Sequence, residues 1–386
     1  MLFDDIVRSD IKPKRNLEGS FDFLNRSARP EISRVREFVE ACCANYPTSE
    51  IDELIARIRS GNETHFKSAT FELLLYEALS RIGFELQPHP QLENGIMARP
   101  DFLVTSPDGM QFYLEAVLAS EIKEVNQGGE AIKGAVMDAI ASVHHHDFMI
   151  DVTSKGYPTT QPSGKKLAIE ILKWLDSLDH ENVRQAIELD GFEAVEFLEW
   201  KHEEWFLTFR PIPLKQARRG KSKSLIGAFM GGAGYINAWT PIRDAVKHKG
   251  SKYGQLGLPF LVAVNVDSYA LDPIDEMQAL FGQEKYVISV GQPEHEPEMQ
   301  RESNGAWYGP TGPQYKRVSG AWLFNDLTPY TIASRRSTVY LNPWASKSLP
   351  ESLLIMPHAK SDGEIMEWVG GKSFREIYGL NEGWPT

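Results

Sequence analysis

The sequence predicts an α/β protein, and three observations carry that expectation. A helical hydrophobic pattern over about residues 66–82 stops at Gly83 and gives way to period-two stretches. Helix-like and strand-like segments then alternate along the chain. An apolar, β-branched run, PFLVAVNV at 259–266, has the character of a strand buried on both faces. With 386 residues the chain exceeds one ordinary core and implies one large domain or two.

Residues 1–30, with scattered charges, Gly and Pro, read as an irregular lead-in. EISRVREFVEACCANYP and SEIDELIARIRSG follow as two short helices; Ser49 precedes an acidic first turn and Gly61 closes the second. In the helix at 66–82, Phe71, Leu74, Leu75, Ala78, Leu79 and Ile82 keep helical spacing. GFELQPHP, DFLVT and QFYLEAVLA then read as three strands, the last two joined by the turn-forming cluster SPDGM. A helix is expected around 129–143, a strand at 147–154, a loop at 155–164, an amphipathic helix at 165–178 and an aromatic hairpin at 196–214. After a basic, Gly-rich segment (215–234) come a helix at about 240–254 and the strand 259–266. VISV, KRVSGAWLF and STVYLNPWA are further strand candidates, and SLPESLL reads as a capped helix start. No internal repeat is present.

Composition narrows the functional classes. Apolar residues make up 42% and charged residues 24%, a globular balance. Cys42 and Cys43 are adjacent and make no disulfide framework, which points to a reducing compartment. The N-terminal segment lacks an apolar signal core and no long apolar run occurs, so a cytoplasmic location is expected. The net charge of −12 argues against a broad nucleic-acid-binding face but leaves room for a local one. The candidate is KQARRGKSKS, in which Lys215, Arg218, Arg219, Lys221 and Lys223 are either phosphate contacts or a solvated loop.

Chemistry concentrates in the hairpin. Period-two geometry puts Asp101, Leu103 and Thr105 on one face of the first strand, and Gln111, Tyr113, Glu115 and Val117 on one face of the next. A turn at SPDG brings Asp101 and Glu115 to the same side of the sheet. Two carboxylates in an otherwise apolar hairpin repel and desolvate each other, and a hard divalent cation relieves both penalties. Glu72, on the preceding helix, is a third acid able to reach the site. The bland alternative is that Asp101 caps a turn and Glu115 sits at a solvated edge.

The run from Phe66 to Ser120 resembles the core of the PD-(D/E)xK nuclease superfamily, the restriction-endonuclease-like fold. Pro100-Asp101 matches the "PD", Glu115 the second acid and Glu72 the acid of the first helix. The resemblance covers about one seventh of the chain and rests on a short motif. It implies a core of helix, three-strand meander, helix and strand, with a large insertion and a strand-containing C-terminal extension. It also implies metal ligation by Glu72, Asp101 and Glu115, with Mg2+ as cofactor and Mn2+ as substitute, and hydrolysis of a phosphodiester. The implied organisation is an N-terminal helical segment (1–62), a first half-core (63–120), an insertion for substrate selection (121–238), and the second half-core with the extension (239–386).

The family's lysine falls two residues past the second acid, where this chain has Val117. That lysine orients the attacking water and offsets transition-state charge, so one must arrive from elsewhere or the site is inert. Helical spacing makes Ile242, Val246, Lys249 and Tyr253 the inward positions of the 240–254 helix, putting Lys249 in a slot that expects an apolar residue. Lys249 is the preferred replacement and Lys252 the next; Lys249 as a snorkelling surface side chain is the alternative. Lys123 and Lys133 remain further candidates. Lys133 would serve if helix 129–143 and strand 147–154 completed the core.

Other motifs are weaker. His144, His145 and His146 are consecutive and cannot converge on one ion, although Asp147 and Asp151 are near. GAFMGGAGYI is not a P-loop and reads as a flexible connection. Trp200, Trp205, Trp239, Trp307, Tyr308, Trp322, Tyr330 and Trp344 could stack on bases but suit a core better. The sequence thus points to a metal-dependent endonuclease, with DNA favoured over RNA, a role in defence against foreign DNA, and a homodimer or an operon-encoded protein as possible partner. The rivals are an inactive nuclease-fold protein that binds nucleic acid or a partner protein, and an interaction protein whose acids face solvent.

Overall fold

A computed structural model describes residues 1–120, 127–231, 239–267, 271–287, 298–361 and 365–386. In chain order the helices are α1 (Ser20–Arg26), α2 (Pro30–Asn45), α3 (Ile51–Arg59), α4 (Glu63–Arg81), α5 (Gln127–Ala141), α6 (Gly164–Asp176), α7 (His180–Asp190), α8 (Trp239–Lys252), α9 (Pro273–Phe281) and α10 (Phe374–Tyr378). The strands are β1 (Glu85–Pro88), β2 (Phe102–Thr105), β3 (Gln111–Ser120), β4 (Phe148–Lys155), β5 (Leu198–His202), β6 (Trp205–Pro213), β7 (Ile226–Gly231) and β8 (Phe260–Asp267). They continue with β9 (Glu284–Val287), β10 (Glu298–Arg301), β11 (Tyr308–Gly309), β12 (Gly312–Pro313), β13 (Gly320–Asn325), β14 (Ser337–Leu341), β15 (His358–Ser361) and β16 (Met366–Val369). The protein is mixed α/β. Among the described residues no helix is long and apolar enough to cross a membrane.

The chain forms two compact units. The larger comprises Met1–Lys12, Gly19–Glu121 and Ile236–Thr386, and the smaller Pro13–Glu18 and Ile122–Tyr235. Most of the N-terminal segment, including α1 to α3, is therefore part of the larger unit and packs in its core.

The larger unit is built on an eight-stranded mixed sheet of order β1-β2-β3-β8-β13-β14-β15-β16. β1, β2 and β3 form an antiparallel meander, β8 lies parallel to β3, and β13 parallel to β8. Strand alternation divides the core cleanly. Phe102, Val104, Phe112, Leu114, Leu261 and Ala263 pack with Phe71, Leu74 and Leu75 of α4 on one face. Tyr113, Val262, Val264 and Val266 pack with Ile242 and Val246 of α8, and with Tyr253 just past its end, on the other. Covered on both sides, β8 is apolar from Phe260 to Val264 and buried through Val266, with the one buried polar side chain, Asn265, bonded to the Leu327 backbone.

The smaller unit has a four-stranded sheet of order β5-β6-β4-β7. Ile150, Val152, Trp205, Leu207 and Phe209 form its core with Val136 and Ile140 of α5 and Leu167, Ile171 and Leu175 of α6. β4 pairs with β6 and β7, whereas β3 pairs with β2 and β8. Helix α8 and strand β8, not the 129–154 segment, thus complete the sheet that carries the hairpin.

Several elements depart from the sequence reading. The lead-in holds α1, only 7 residues long and too short to show a period. Helix α7 buries little beyond Val183, so it lacks a legible apolar stripe. GAFMGGAGYI is not wholly a connection: Ile226–Gly231 is strand β7, parallel to β4, and 232–236 lie outside the described residues. Most of VISV lies outside them too. SLPESLL forms a 3-10 turn, Glu351–Ile355, instead of an α-helix. Helix α9 carries a readable signal, Pro273 at its start with an Asp272–Asp275 capping box.

Candidate functional site

Helix α4 starts at Asn62, whose side chain accepts hydrogen bonds from the Thr64 and His65 amides and satisfies two of the orphan donors there. It carries Glu72, which is only 4% exposed. A carboxylate this buried needs a partner, and Arg57 from the last turn of α3 supplies one. Its two terminal nitrogens donate to the two Glu72 oxygens at 2.7 and 2.5 Å, a bidentate pair. Glu53, one turn earlier, adds a contact at 2.9 Å to Arg57 Nε.

The hairpin register places the next acid. Phe102 pairs with Leu114, so Asp101 stands one step on, opposite Glu115, just where β2 ends. Beyond that end, Ala116 N–H has no β2 backbone to meet. The Asp101 carboxylate takes that place and accepts the hydrogen bond at Oδ2, 2.6 Å away. On its other side the Asp101 carbonyl accepts from His89 N at 2.9 Å, extending the β1–β2 pairing by one residue. His89 has a φ of +46° and its Nδ1 lies 3.1 Å from Glu50 Oε2.

Glu115 is 1% exposed, on a strand flanked by β2 and β8 and covered by α8. Lys249, Lys252 and Tyr253, at helical positions i, i+3 and i+4, converge on it. Lys249 Nζ donates to Oε1 at 2.5 Å and Lys252 Nζ to the same oxygen at 3.3 Å. The Tyr253 hydroxyl donates to Oε2. The end of α8 is fixed from outside the helix. Asn94 Nδ2 donates to the carbonyls of Tyr253 and Gln255, each at 2.9 Å, and Arg317 donates to that of Gly254 at 3.0 Å. These bonds satisfy carbonyls that a helix terminus leaves unpaired. Gly254 takes a φ of +62°, which turns the chain out of the helix toward β8.

The three acids are compensated unequally. Glu72 has Arg57, and Glu115 has two lysines and a tyrosine. Among the described residues Asp101 has the single Ala116 amide and no ion pair. Although some of its surface is accessible, its carboxyl is enclosed by protein. Burial, then Glu115, then Glu72 push its pKa well above the ordinary aspartate value, against the weaker pull of Ala116 N–H and Lys249. Tyr253 is likewise raised, first by burial and then by Glu115. Arg57 is raised by its bonds to Glu72.

One group of His, Cys, Asp or Glu side chains able to share a cation is found among the described residues. It is Glu72, His89 and Asp101, whose candidate ligand atoms all lie within 4.8 Å of one another. His89 therefore stands where the sequence reading put Glu115, and Glu115 instead anchors the lysines. Arg57, His89 and Glu50 were not singled out from the sequence. The signal for His89 lay in QPHPQ: a histidine closing the first strand comes to pair with the residue that opens the second.

The remaining candidates fall elsewhere. Lys123 lies outside the described residues. Lys133 belongs to the smaller unit, with Nζ 3.5 Å from the Tyr157 ring centroid. The basic segment is also in the smaller unit and is anchored: Gly220 N donates to His146 O at 2.9 Å, and Arg219 reaches His180 Nδ1 at 2.5 Å. Lys215, Arg218, Lys221 and Lys223 are exposed. His145 pairs with Asp176 and His146 with Asp147, while Asp151 is buried on β4, so these residues share no ion site among the described residues. Trp205, Trp307 and Trp322 are fully buried core residues. Cys42 and Cys43 are free, buried thiols, with Cys43 pushed up to about 12 by burial, which leaves them unreactive. A cleft of about 360 Å³ lies beyond Tyr113 along the strand, lined by Glu93, Asn94, Gln111 and residues 255–258 but by none of the acids above.

Comparison with known protein families, curated proteins and solved structures found no match to the chain.

Proposed function

We propose that the protein is a divalent-metal-dependent phosphodiesterase, a nuclease of the restriction-endonuclease-like fold acting on nucleic acid, with DNA favoured. The observation that carries this reading is the convergence of Asp101, Glu115 and Lys249 at one end of an antiparallel meander. The order α4, β1-β2-β3, α8, β8, with β8 parallel to β3, supports this reading.

The donor set fits a dication: the carboxylates of Glu72 and Asp101 meet the His89 imidazole, and among the described residues Asp101 lacks a cation of its own. When bound, such an ion supplies positive charge to phosphoryl oxygens and makes a nucleophile of water at neutral pH. The chain supplies the rest. Ala116 N–H holds Asp101 in orientation, and Tyr253 holds Glu115 so that Oε1 faces Lys249. The Lys249 ammonium provides the charge and proton donor that Val117 cannot, orienting water and offsetting charge on the attacked phosphate.

A second reading, a non-catalytic nuclease-fold protein that binds nucleic acid or a protein partner, draws on one observation: Arg57 takes both Glu72 oxygens, and two lysines and Tyr253 occupy Glu115. One experiment separates them. Plasmid, single-stranded DNA and RNA are incubated with the protein in magnesium or manganese, alongside Asp101→Ala and Glu115→Ala. Metal-dependent cleavage lost in both variants supports the enzyme. Binding without cleavage supports the second reading.

A further inference from the structure

We infer that the Glu72–His89–Asp101 group selects a first-row transition dication, manganese(II) foremost, over magnesium, with His89 as the selecting ligand and Glu50 as the residue that orients it. This rests on the proposal that the group holds the functional metal, and it names which metal. Magnesium is a hard ion that takes oxygen ligands in a near-ideal octahedron and keeps most of its waters. An imidazole nitrogen adds little for magnesium. It favours manganese and the later metals of the series, for which mixed nitrogen and carboxylate ligation is ordinary.

Two independent features put the imidazole there. The first is the sheet: His89 N donates to Asp101 O at 2.9 Å, so the ring is carried on the backbone step that faces the aspartate. The second lies outside the ligand group. Glu50 Oε2 is 3.1 Å from His89 Nδ1. A carboxylate at that distance accepts the Nδ1 proton and leaves the lone pair on Nε2. This is the arrangement by which metal-ligating histidines have their tautomer and ring orientation set. Glu50 comes from the start of α3, the same helix whose last turn supplies Arg57 to Glu72. One short helix thus braces two of the three ligands. The charge also balances once the flanking groups are counted, since the carboxylates of Glu50, Glu72 and Asp101 offset the Arg57 guanidinium and a dication.

Manganese binding to the full chain is read by electron paramagnetic resonance, from loss of the free-ion signal, with magnesium as competitor. His89→Asn is the informative variant, because asparagine tolerates the left-handed backbone at this position better than most residues. A thermal melt in chelator establishes that it folds. Wild type is expected to bind manganese at a site removed by Asp101→Asn. His89→Asn should weaken manganese about tenfold or more while changing magnesium affinity by less than about threefold, and Glu50→Gln should weaken manganese by about tenfold through the misoriented ring. An unchanged manganese-to-magnesium ratio in His89→Asn overturns the inference, as does a wild type with no manganese site sensitive to Asp101→Asn. If His89→Asn fails to fold, Glu50→Gln decides: unaltered manganese affinity there overturns the role of Glu50 and the ring orientation together. Selective manganese binding with no cleavage of any nucleic acid keeps this inference and removes the phosphodiesterase reading. Magnesium-supported cleavage at equal rates in wild type and His89→Asn, with no manganese preference, does the reverse.

Discussion

Lys249 Nζ lies 2.5 Å from Glu115 Oε1 although 134 residues separate them. The lysine is 17% exposed and the glutamate 1%, so the pair is shielded from solvent on the carboxylate side. Lys249→Ala leaves a buried carboxylate with only Lys252 and Tyr253. A loss of about 2–3 kcal/mol is expected from urea unfolding, somewhat less than for a buried pair with no third partner. Lys249→Met combined with Glu115→Gln should recover most of that stability. Neither protein should cleave nucleic acid; full cleavage by Lys249→Ala would move the role to Lys252.

Asp101 gives the stability of the metal-free protein a sign. A carboxyl whose folded pKa is raised binds its proton more tightly in the native state. The native state therefore gains at low pH, and that gain disappears as pH rises above about 3.8 and through the raised folded value. Asp101→Asn removes the charge and keeps an acceptor for Ala116 N–H. In chelator at pH 7 it should melt higher than wild type by a few degrees, on the order of 1 kcal/mol, with the advantage shrinking toward pH 4. A variant that melts lower at pH 7 would contradict this account.

Tyr253 separates positioning from charge. Tyr253→Phe keeps the ring among Ile242, Val246 and Phe260 and removes the hydroxyl's bonds to Glu115 and to the Arg99 carbonyl. Stability should fall by about 1–2 kcal/mol, the range for a hydrogen bond to a charged group. Turnover should fall about tenfold with KM unchanged, because Oε1 loses its fixed aim at Lys249. A raised KM at constant kcat would assign Tyr253 to substrate binding.

Arg57 braces Glu72 through two parallel bonds, a geometry lysine cannot reproduce. Arg57→Lys should cost about 1–3 kcal/mol in denaturant unfolding. Arg57→Met paired with Glu72→Gln should recover stability but show no metal-dependent rise in melting temperature. Such a rise in the double variant would mean that Glu72 is not a ligand.

The hairpin acids were legible because period two is rigid: once Phe102 and Leu114 face the core, Asp101 and Glu115 have one side left. Lys249 was legible for the opposite reason, as a charge in a slot whose neighbours Ile242, Val246 and Tyr253 are buried. His89 and Glu50 were not, since their meeting depends on how the loop after β1 docks against the start of α3, and no periodicity encodes docking. Nor was the division of labour visible. Spacing can bring three acids near each other, but the choice of Arg57 for Glu72 and of Lys249 for Glu115 is made by packing of α3 and α8. Helices α7 and α10 and strands β15 and β16 escaped because they are short or mostly exposed, where the apolar pattern is thin.

The parallel pairing of β3 with β8 also sets an order in time. A nascent chain presents Glu72, Asp101 and Glu115 long before α8 exists, and at about 5–20 residues per second the 134 residues to Lys249 take roughly 7–27 seconds to make. During that interval the acids have no ammonium and β3 has no inner neighbour. On the proposed mechanism, a ribosome carrying the half-made chain holds no working nuclease beside its own message.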